Sequence, residues 1–230
     1  MRPVTDPLAK PTEASLATAR LRAEIVGGVM RPGDKLKLEP LARRYAVSRG
    51  PLREAASRLA AEGLVTIEDH RGFRVAPLSR VDLADVTATR QRIEVLALED
   101  AIAHGDLAWE GRVKAACHML DRVTSHLEDR AAFAAQHQAF HEALVSACPS
   151  AYLLEFRARL YALTERYRNL AAEGYAAGRA HRDVAAEHQA LADAAVARDA
   201  PRAAALLREH LAETARQLIE AYPELFGGAA

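Results

Sequence analysis

The sequence predicts a mainly α protein in two parts: a small helical unit closed by a β-hairpin, then an all-α bundle. Three observations carry this. A chain of 230 residues suits two modest domains better than one large one. Glycine and proline punctuate the first eighty residues and then thin out. From Val81 onward the chain is alanine-rich, with helical periodicity and no β-like run.

Half the residues are apolar and 27% are charged, which excludes a disordered chain. No apolar run approaches the ~18–20 residues a bilayer requires, and the N-terminus has no apolar signal core, so no membrane or secretory role is expected. The two cysteines, Cys117 and Cys148, lie far apart without metal spacing. That excludes a disulfide scaffold and fits a reducing cytoplasm. The net charge of zero hides a dipole. Residues 1–80 carry fifteen Lys/Arg against nine Asp/Glu, whereas residues 81–230 carry sixteen against twenty-two. A basic front is expected to meet a polyanion. Eight of the nine histidines lie in the rear.

The expected divisions are a flexible arm over 1–13, a first domain over 14–76, a linker over 77–80, a helical domain over 81–222 and a tail over 223–230. In the first domain a helix runs from Thr12 or Ser15 to Val26, burying Ala17, Leu21 and Ile25, and Gly27-Gly28 stop it. Pro32-Gly33 make a turn. A short helix over Glu39–Tyr45 has Leu38, Leu41, Ala42 and Tyr45 as its apolar side. Ser48 then sits at the N-cap of a helix starting at Arg49, with Pro51 in the first turn and Gly63 just past the end. Leu64–Glu68 and Phe73–Ala76 flank Asp69-His70-Arg71-Gly72 as a hairpin. Helix, helix, turn, helix and hairpin in that order make a winged helix-turn-helix. In the rear, six helices are expected at about 81–104, 108–129, 131–147, 150–172, 179–198 and 201–221.

On the third helix Arg49, Arg53 and Ser57 follow at four-residue spacing, off the Leu52–Ala56–Leu59 core stripe. Arginines there suit a major groove, where a guanidinium forks onto guanine O6/N7. Arginine spacing alone is equally that of a solvated face; the cap, the C-terminal glycine and the hairpin decide for DNA. The stretch LRAEIVGGVMRPGDKLKLEPLARRYAVSRGPLREAASRLAAEGLVTIEDHRGFRV closely resembles the DNA-binding domain of the GntR family of bacterial transcriptional regulators. That resemblance implies DNA contacts from Arg43 or Arg44, Ser48, Arg49, Gly50, Arg53, Arg71 and Gly72. Gly50 departs from the pattern, since members commonly carry threonine or another reaching side chain there.

In the rear, His137 and His141 share a helix face with Phe133 and Leu144. His188 is in register with Val184 and Leu191, and His210 with Leu206, Leu207 and Thr214. One inward histidine is usually a satisfied core residue, because an unsatisfied polar group costs ~1–3 kcal/mol. Four such histidines from three helices are explained more economically by a shared metal. The segments AFHEAL, AEHQAL and LLREHL also resemble the hallmark segments of the FCD ligand-binding domain, in its six-helix, VanR-like branch within the FadR subfamily. By that resemblance the ligands are His137, His141, His188 and His210, with His137 where an aspartate usually stands. A neutral donor set favours a divalent transition metal, zinc first and nickel as the alternative, over magnesium or calcium. Arg90 stands where such domains often meet an effector's carboxylate; its alternative is an i, i+4 salt bridge to Glu94. Tyr161, Tyr167 and Arg168 are either cavity-lining or plain core, and His181 is either a pocket or a surface residue. His104, His118, His126, Trp109, Cys117 and Cys148 are expected to be ordinary.

The expected function is a ligand-responsive regulator, in its commoner form a repressor. It would bind a palindromic double-stranded operator as a homodimer and answer to a metal-anchored small carboxylate metabolite. Two alternatives are a metal-responsive regulator without an organic effector, and a constitutive DNA-binding protein with a structural metal. A third, a metal-dependent enzyme fused to the DNA-binding module, is disfavoured. In HQAFH, Gln138 occupies the place where a zinc protease carries its glutamate base.

Overall fold

The structure, a computed structural model, describes residues 11–69, 71–124, 130–175, 183–221 and 223–226. The chain divides into two compact units, residues 1–77 and 78–230.

In the first unit α1 spans Glu13–Val26, α2 Leu38–Tyr45 and α3 Arg49–Ala61; β1 (Val65–Glu68) and β2 (Gly72–Val75) follow. Thr12 caps α1, its side chain accepting from the Ser15 amide at 3.1 Å. The core forms where α1 lies along α3, with Leu21, Ile25, Leu52 and Leu59 closed beneath by Leu64, Phe73 and Val75. Ser48 occupies the N-cap of α3, but its side chain makes no capping bond. The turn between α2 and α3 passes through Ala46 at φ 56°, a left-handed conformation that costs a non-glycine residue ~1–2 kcal/mol. The hairpin is antiparallel, pairing Val65 with Val75 and Glu68 with Gly72.

The segment expected only as a turn at Pro32-Gly33 goes on to pair with the wing. Lys35 bridges Arg74, the Leu36 amide donates to the Phe73 carbonyl at 2.8 Å, and Arg74 Nη1 donates to the Gly33 carbonyl at 2.5 Å. Such pairing leaves no periodic signal in so short a segment, because its partners lie some forty residues away.

The second unit contains, among the described residues, α4 (Arg80–His104), α5 (Leu107–Thr124), α6 (Arg130–Val145), α7 (Ala151–Tyr175), α8 (Val184–Val196) and α9 (Ala200–Ala221). Helix α4 runs through the middle, packing on α6, α7 and α9, while α5 lies against α6 and α8. Ser79 caps α4 by accepting from the Asp82 amide. The α4–α5 break needs Gly105, since a Cβ there would come within 2.3 Å of the Trp109 ring. Trp109 is fully buried and donates to the Ala143 carbonyl at 3.0 Å; Cys117 and Cys148 are buried free thiols. Residues 223–226, expected as tail, form a 3-10 turn that stacks Phe226 on Tyr167. No helix among the described residues is long and apolar enough to cross a membrane. The fold is mainly α, a winged helix-turn-helix and an all-α bundle.

Candidate metal centre and DNA-reading face

Amphipathic periodicity drives α6, α8 and α9 to bury one stripe each, and that stripe carries His137 and His141 on α6, His188 on α8 and His210 on α9. All four are buried, and one ligand-capable atom from each lies within 4.8 Å of the others. Ring centroids stand 4.5 Å apart for His137–His141, 4.7 Å for His188–His210 and 5.1 Å for His137–His188.

Burial pushes the pKa of His137 and of His141 well below the ordinary imidazole value. Arg168 adds to the effect at His137, and His210 and His188 at His141. Both rings are therefore neutral, the form that binds metals. Neither ring nitrogen of His141 has a hydrogen-bond partner. Two orphaned polar atoms in a buried site call for an ion or water. The Nδ1 of His210 lies 3.0 Å from the Glu187 carboxylate, an arrangement that fixes the tautomer, with the proton on Nδ1 and the lone pair on Nε2. These residues fit a transition metal by donor type, burial and mutual proximity.

A cavity of about 30 Å3, room for roughly two water molecules, adjoins the cluster. His137, His210, Arg90, Thr164, Glu165 and Arg168 form its polar wall, and Leu83, Leu211 and Leu218 contribute to its apolar one. Arg90 makes the expected pair with Glu94 and also lines this cavity. Its Nε donates to Glu94 at 2.5 Å, but the pair is buried rather than on the surface, and Nη1 donates to Thr164 at 2.8 Å. Its Nη2 is buried without a hydrogen-bond partner. Arg157 approaches the other oxygen of Glu94 at 3.6 Å, and both guanidiniums lie over Tyr161, 4.8 and 5.1 Å from the ring centre.

Tyr161 and Arg168 stand at the cluster: Tyr161 Oη is 3.1 Å and Arg168 Nη1 2.5 Å from His137 Nδ1. Tyr167 belongs to a separate apolar group with Leu78, Leu83 and Leu218, and donates to Asp82 at 2.6 Å. Sequence reasoning missed Arg157, Thr164, Glu165 and Glu187. Thr164 and Glu165 follow Tyr161 by three and four residues on α7, a signal indistinguishable from ordinary helix patterning. His104 and His118 are exposed; His126 and His181 lie outside the described residues.

In the first unit Arg49, Gly50, Arg53 and Ser57 are all exposed on α3, opposite the buried Leu52, Ala56 and Leu59. A Cβ added at Gly50 meets nothing closer than Ser48 Oγ at 4.0 Å, so packing does not demand a glycine there. Glu39 sits between Arg43, at 3.5 Å, and Arg49, at 3.7 Å. Arg44 pairs with Glu24 and lies over Tyr45, so of the two α2 arginines Arg43 is the more exposed. Gly72 begins β2 with φ 96°, where a side chain would be strained, and Arg71 beside it is exposed.

A winged helix-turn-helix joined to a helical bundle with a buried histidine centre is the architecture of a DNA-binding transcriptional regulator. Residues 14–75 match the bacterial regulatory proteins of the gntR family and residues 85–213 match the FCD domain; the chain belongs to the GntR family and carries an FCD domain. It is similar to the HTH-type transcriptional regulator BphR of Paraburkholderia xenovorans (strain LB400), with 44% identity over 84% of this chain and 79% of that one. The HTH-type transcriptional repressor GlaR of Escherichia coli (strain K12) is 39% identical over 83% of this chain and 89% of its own. Among solved structures, a transcriptional regulator GntR from Rhodococcus sp. RHA1 superposes with a TM-score of 0.75 at 26% identity, covering 91% of this chain and 98% of that one. E. coli McbR/YncC shares the fold with a TM-score of 0.80 at 18% identity, covering 92% and 99%. Relatives and families alike are transcriptional regulators rather than enzymes. FCD domains often bind a metal, and this chain has the histidine cluster for one.

Proposed function

We propose that this protein is a cytoplasmic repressor whose dimer grips a palindromic operator and releases it when a small carboxylate joins a divalent metal in the bundle. The observation that carries the reading is His141, buried in a four-histidine cluster with neither ring nitrogen hydrogen-bonded. Zinc suits the neutral donor set, with nickel as the alternative. His141, His188 and His210 would hold it with His137 as the fourth donor, and the ion would supply a positive anchor for a carboxylate. Arg90 and Arg168 add two guanidiniums to the cavity wall, which suits an anion further. The cavity's size favours a small effector.

On the DNA side, exposed Arg49 and Arg53 on α3 would read base edges, with Ser48 and Gly50 at the helix start beside them. Arg43 or Arg44, and Arg71 at the Gly72-tipped wing, would hold phosphates. Only a difference in effector affinity between the DNA-bound and free arrangements can shift binding.

A thermal-shift screen of the purified protein against small carboxylates, with and without chelator, tests the reading. A ligand at 100 times its Kd adds ~2.7 kcal/mol to the native state. Stabilisation by a carboxylate that disappears with chelator supports the metal-anchored effector. Stabilisation by metal alone, with no response to any carboxylate, replaces it with metal sensing.

A further inference from the structure

The two histidines at opposite ends of the cluster face opposite chemistry. His210 Nδ1 meets a carboxylate, Glu187, which accepts its proton. His137 Nδ1 meets a guanidinium, Arg168 Nη1 at 2.5 Å, which can only donate. A neutral imidazole carries a single N–H. With Arg168 donating to Nδ1, that proton sits on Nε2, so neither nitrogen of His137 offers a lone pair to the cluster.

To ligate through Nε2, His137 must move its proton to Nδ1. Tyr161 Oη, 3.1 Å away, can accept a hydrogen bond from that Nδ1–H, but Arg168 cannot remain against an N–H. Ligation through Nδ1 itself equally requires Arg168 to leave. Arg168 is held from its other arm by Glu165 at 2.5 Å, and its guanidinium stands above Phe133. Both Arg168 and Glu165 line the cavity. The guanidinium that restrains His137 is therefore also one that an incoming anion meets.

We infer that Arg168 is a latch on the fourth histidine: while it is bonded to His137 Nδ1 the centre is a three-histidine site, and its release lets His137 close on the metal. This rests on the metal reading above and gives it a regulatory element. In the latched protein His141, His188 and His210 carry the ion, and His137 adds nothing to its binding.

Co2+ is the probe, its affinity measured by chelator competition and its coordination by visible absorption, on the full-length protein. In the wild type, H137A changes Co2+ affinity by less than about threefold; R168M and R168Q each raise it about tenfold, the scale of an outer partner's effect. Both also shift the visible spectrum towards a fourth nitrogen ligand. R168Q is the second variant because its amide oxygen can accept from Nδ1–H where methionine cannot. The discriminating measurement is the cycle: in H137A the R168M substitution leaves affinity unchanged. If R168M tightens Co2+ equally with and without His137, the arginine acts by its charge alone and the latch is wrong. If H137A in the wild type costs tenfold or more, His137 already ligates and the latch is wrong. H141A and H188A, made in the wild-type background, report on the underlying reading, each abolishing Co2+ binding. If neither does, the metal centre itself is overturned, and the latch with it.

Discussion

The two units use arginine in opposite ways. In the first unit the guanidiniums on the DNA-facing helices are exposed: Arg43, Arg49 and Arg58 make solvent-facing pairs with Glu39 and Glu54. Such pairs are worth ~0–1 kcal/mol, so these arginines can leave their partners for a phosphate or a base at little cost. In the second unit Arg90 and Arg157 are buried around Glu94, itself 1% exposed. There a charge has no water to fall back on, and its partner is obligatory. Exposed arginine is available for a ligand; buried arginine is committed to the fold or to whatever enters its cavity. Removing a charge should therefore unfold one unit and merely blunt the other.

The largest effect is expected at Glu94. Replacing it with glutamine leaves two buried guanidiniums uncompensated, so E94Q should lower unfolding free energy by about 3–5 kcal/mol, measured by urea denaturation. If E94Q costs less than about 1 kcal/mol, in the range of an exposed pair, the contrast between the units collapses.

Acid sharpens the same point. Burial pushes the Glu94 carboxyl upwards, but Arg90 and Arg157 outweigh it and hold it below its ordinary value of 4.5. A folded value below the unfolded one means that the unfolded chain takes up the proton first as pH falls. The stability this pairing contributes is then complete above pH 4.5 and is lost as pH drops through the folded value. Thermal unfolding followed from pH 7 to pH 3.5 should show a downturn below pH 4.5 in the wild type, and a smaller one in E94Q.

In the first unit, R49A and R53A should each weaken specific operator binding by ~1–3 kcal/mol, the scale of a lost bidentate base contact. Neither should change the melting temperature by more than a degree or so, since both side chains are exposed. Operator titration by fluorescence anisotropy beside a melting curve reads both. Unchanged affinity in both variants removes α3 as the reading helix.

The smallest effect is expected at Gly50. With open space beyond its chain neighbours, G50A should change the stability of the first unit by less than about 0.5 kcal/mol, the backbone-entropy gain being offset by the crowding of a Cβ against the Pro51 ring. A larger loss of stability on thermal unfolding would show that the glycine serves the fold rather than the DNA-facing surface.

Much of this molecule was legible in its residues. The winged helix-turn-helix could be laid out from Pro51, Gly63 and the Gly72-tipped hairpin, because caps and turns act over three or four residues. The four histidines were legible because helical periodicity placed each on a buried stripe. Where each nitrogen points was not. Glu187 and His210 lie on different helices, and so do Arg168 and His137.

Local signals thus determined the elements, their order, the buried stripes and the residue types that suit a metal and a DNA groove. Tertiary packing alone decided that Arg90 and Glu94 are a buried pair rather than a surface one, since their four-residue spacing is identical in both cases. It also decided that Thr164, seventy-four residues from Arg90, completes that site, and that one histidine faces a carboxylate and another a guanidinium. The reason is physical: periodicity fixes which face of a helix turns inward, whereas the proton a histidine carries depends on the donor or acceptor that another helix brings to it.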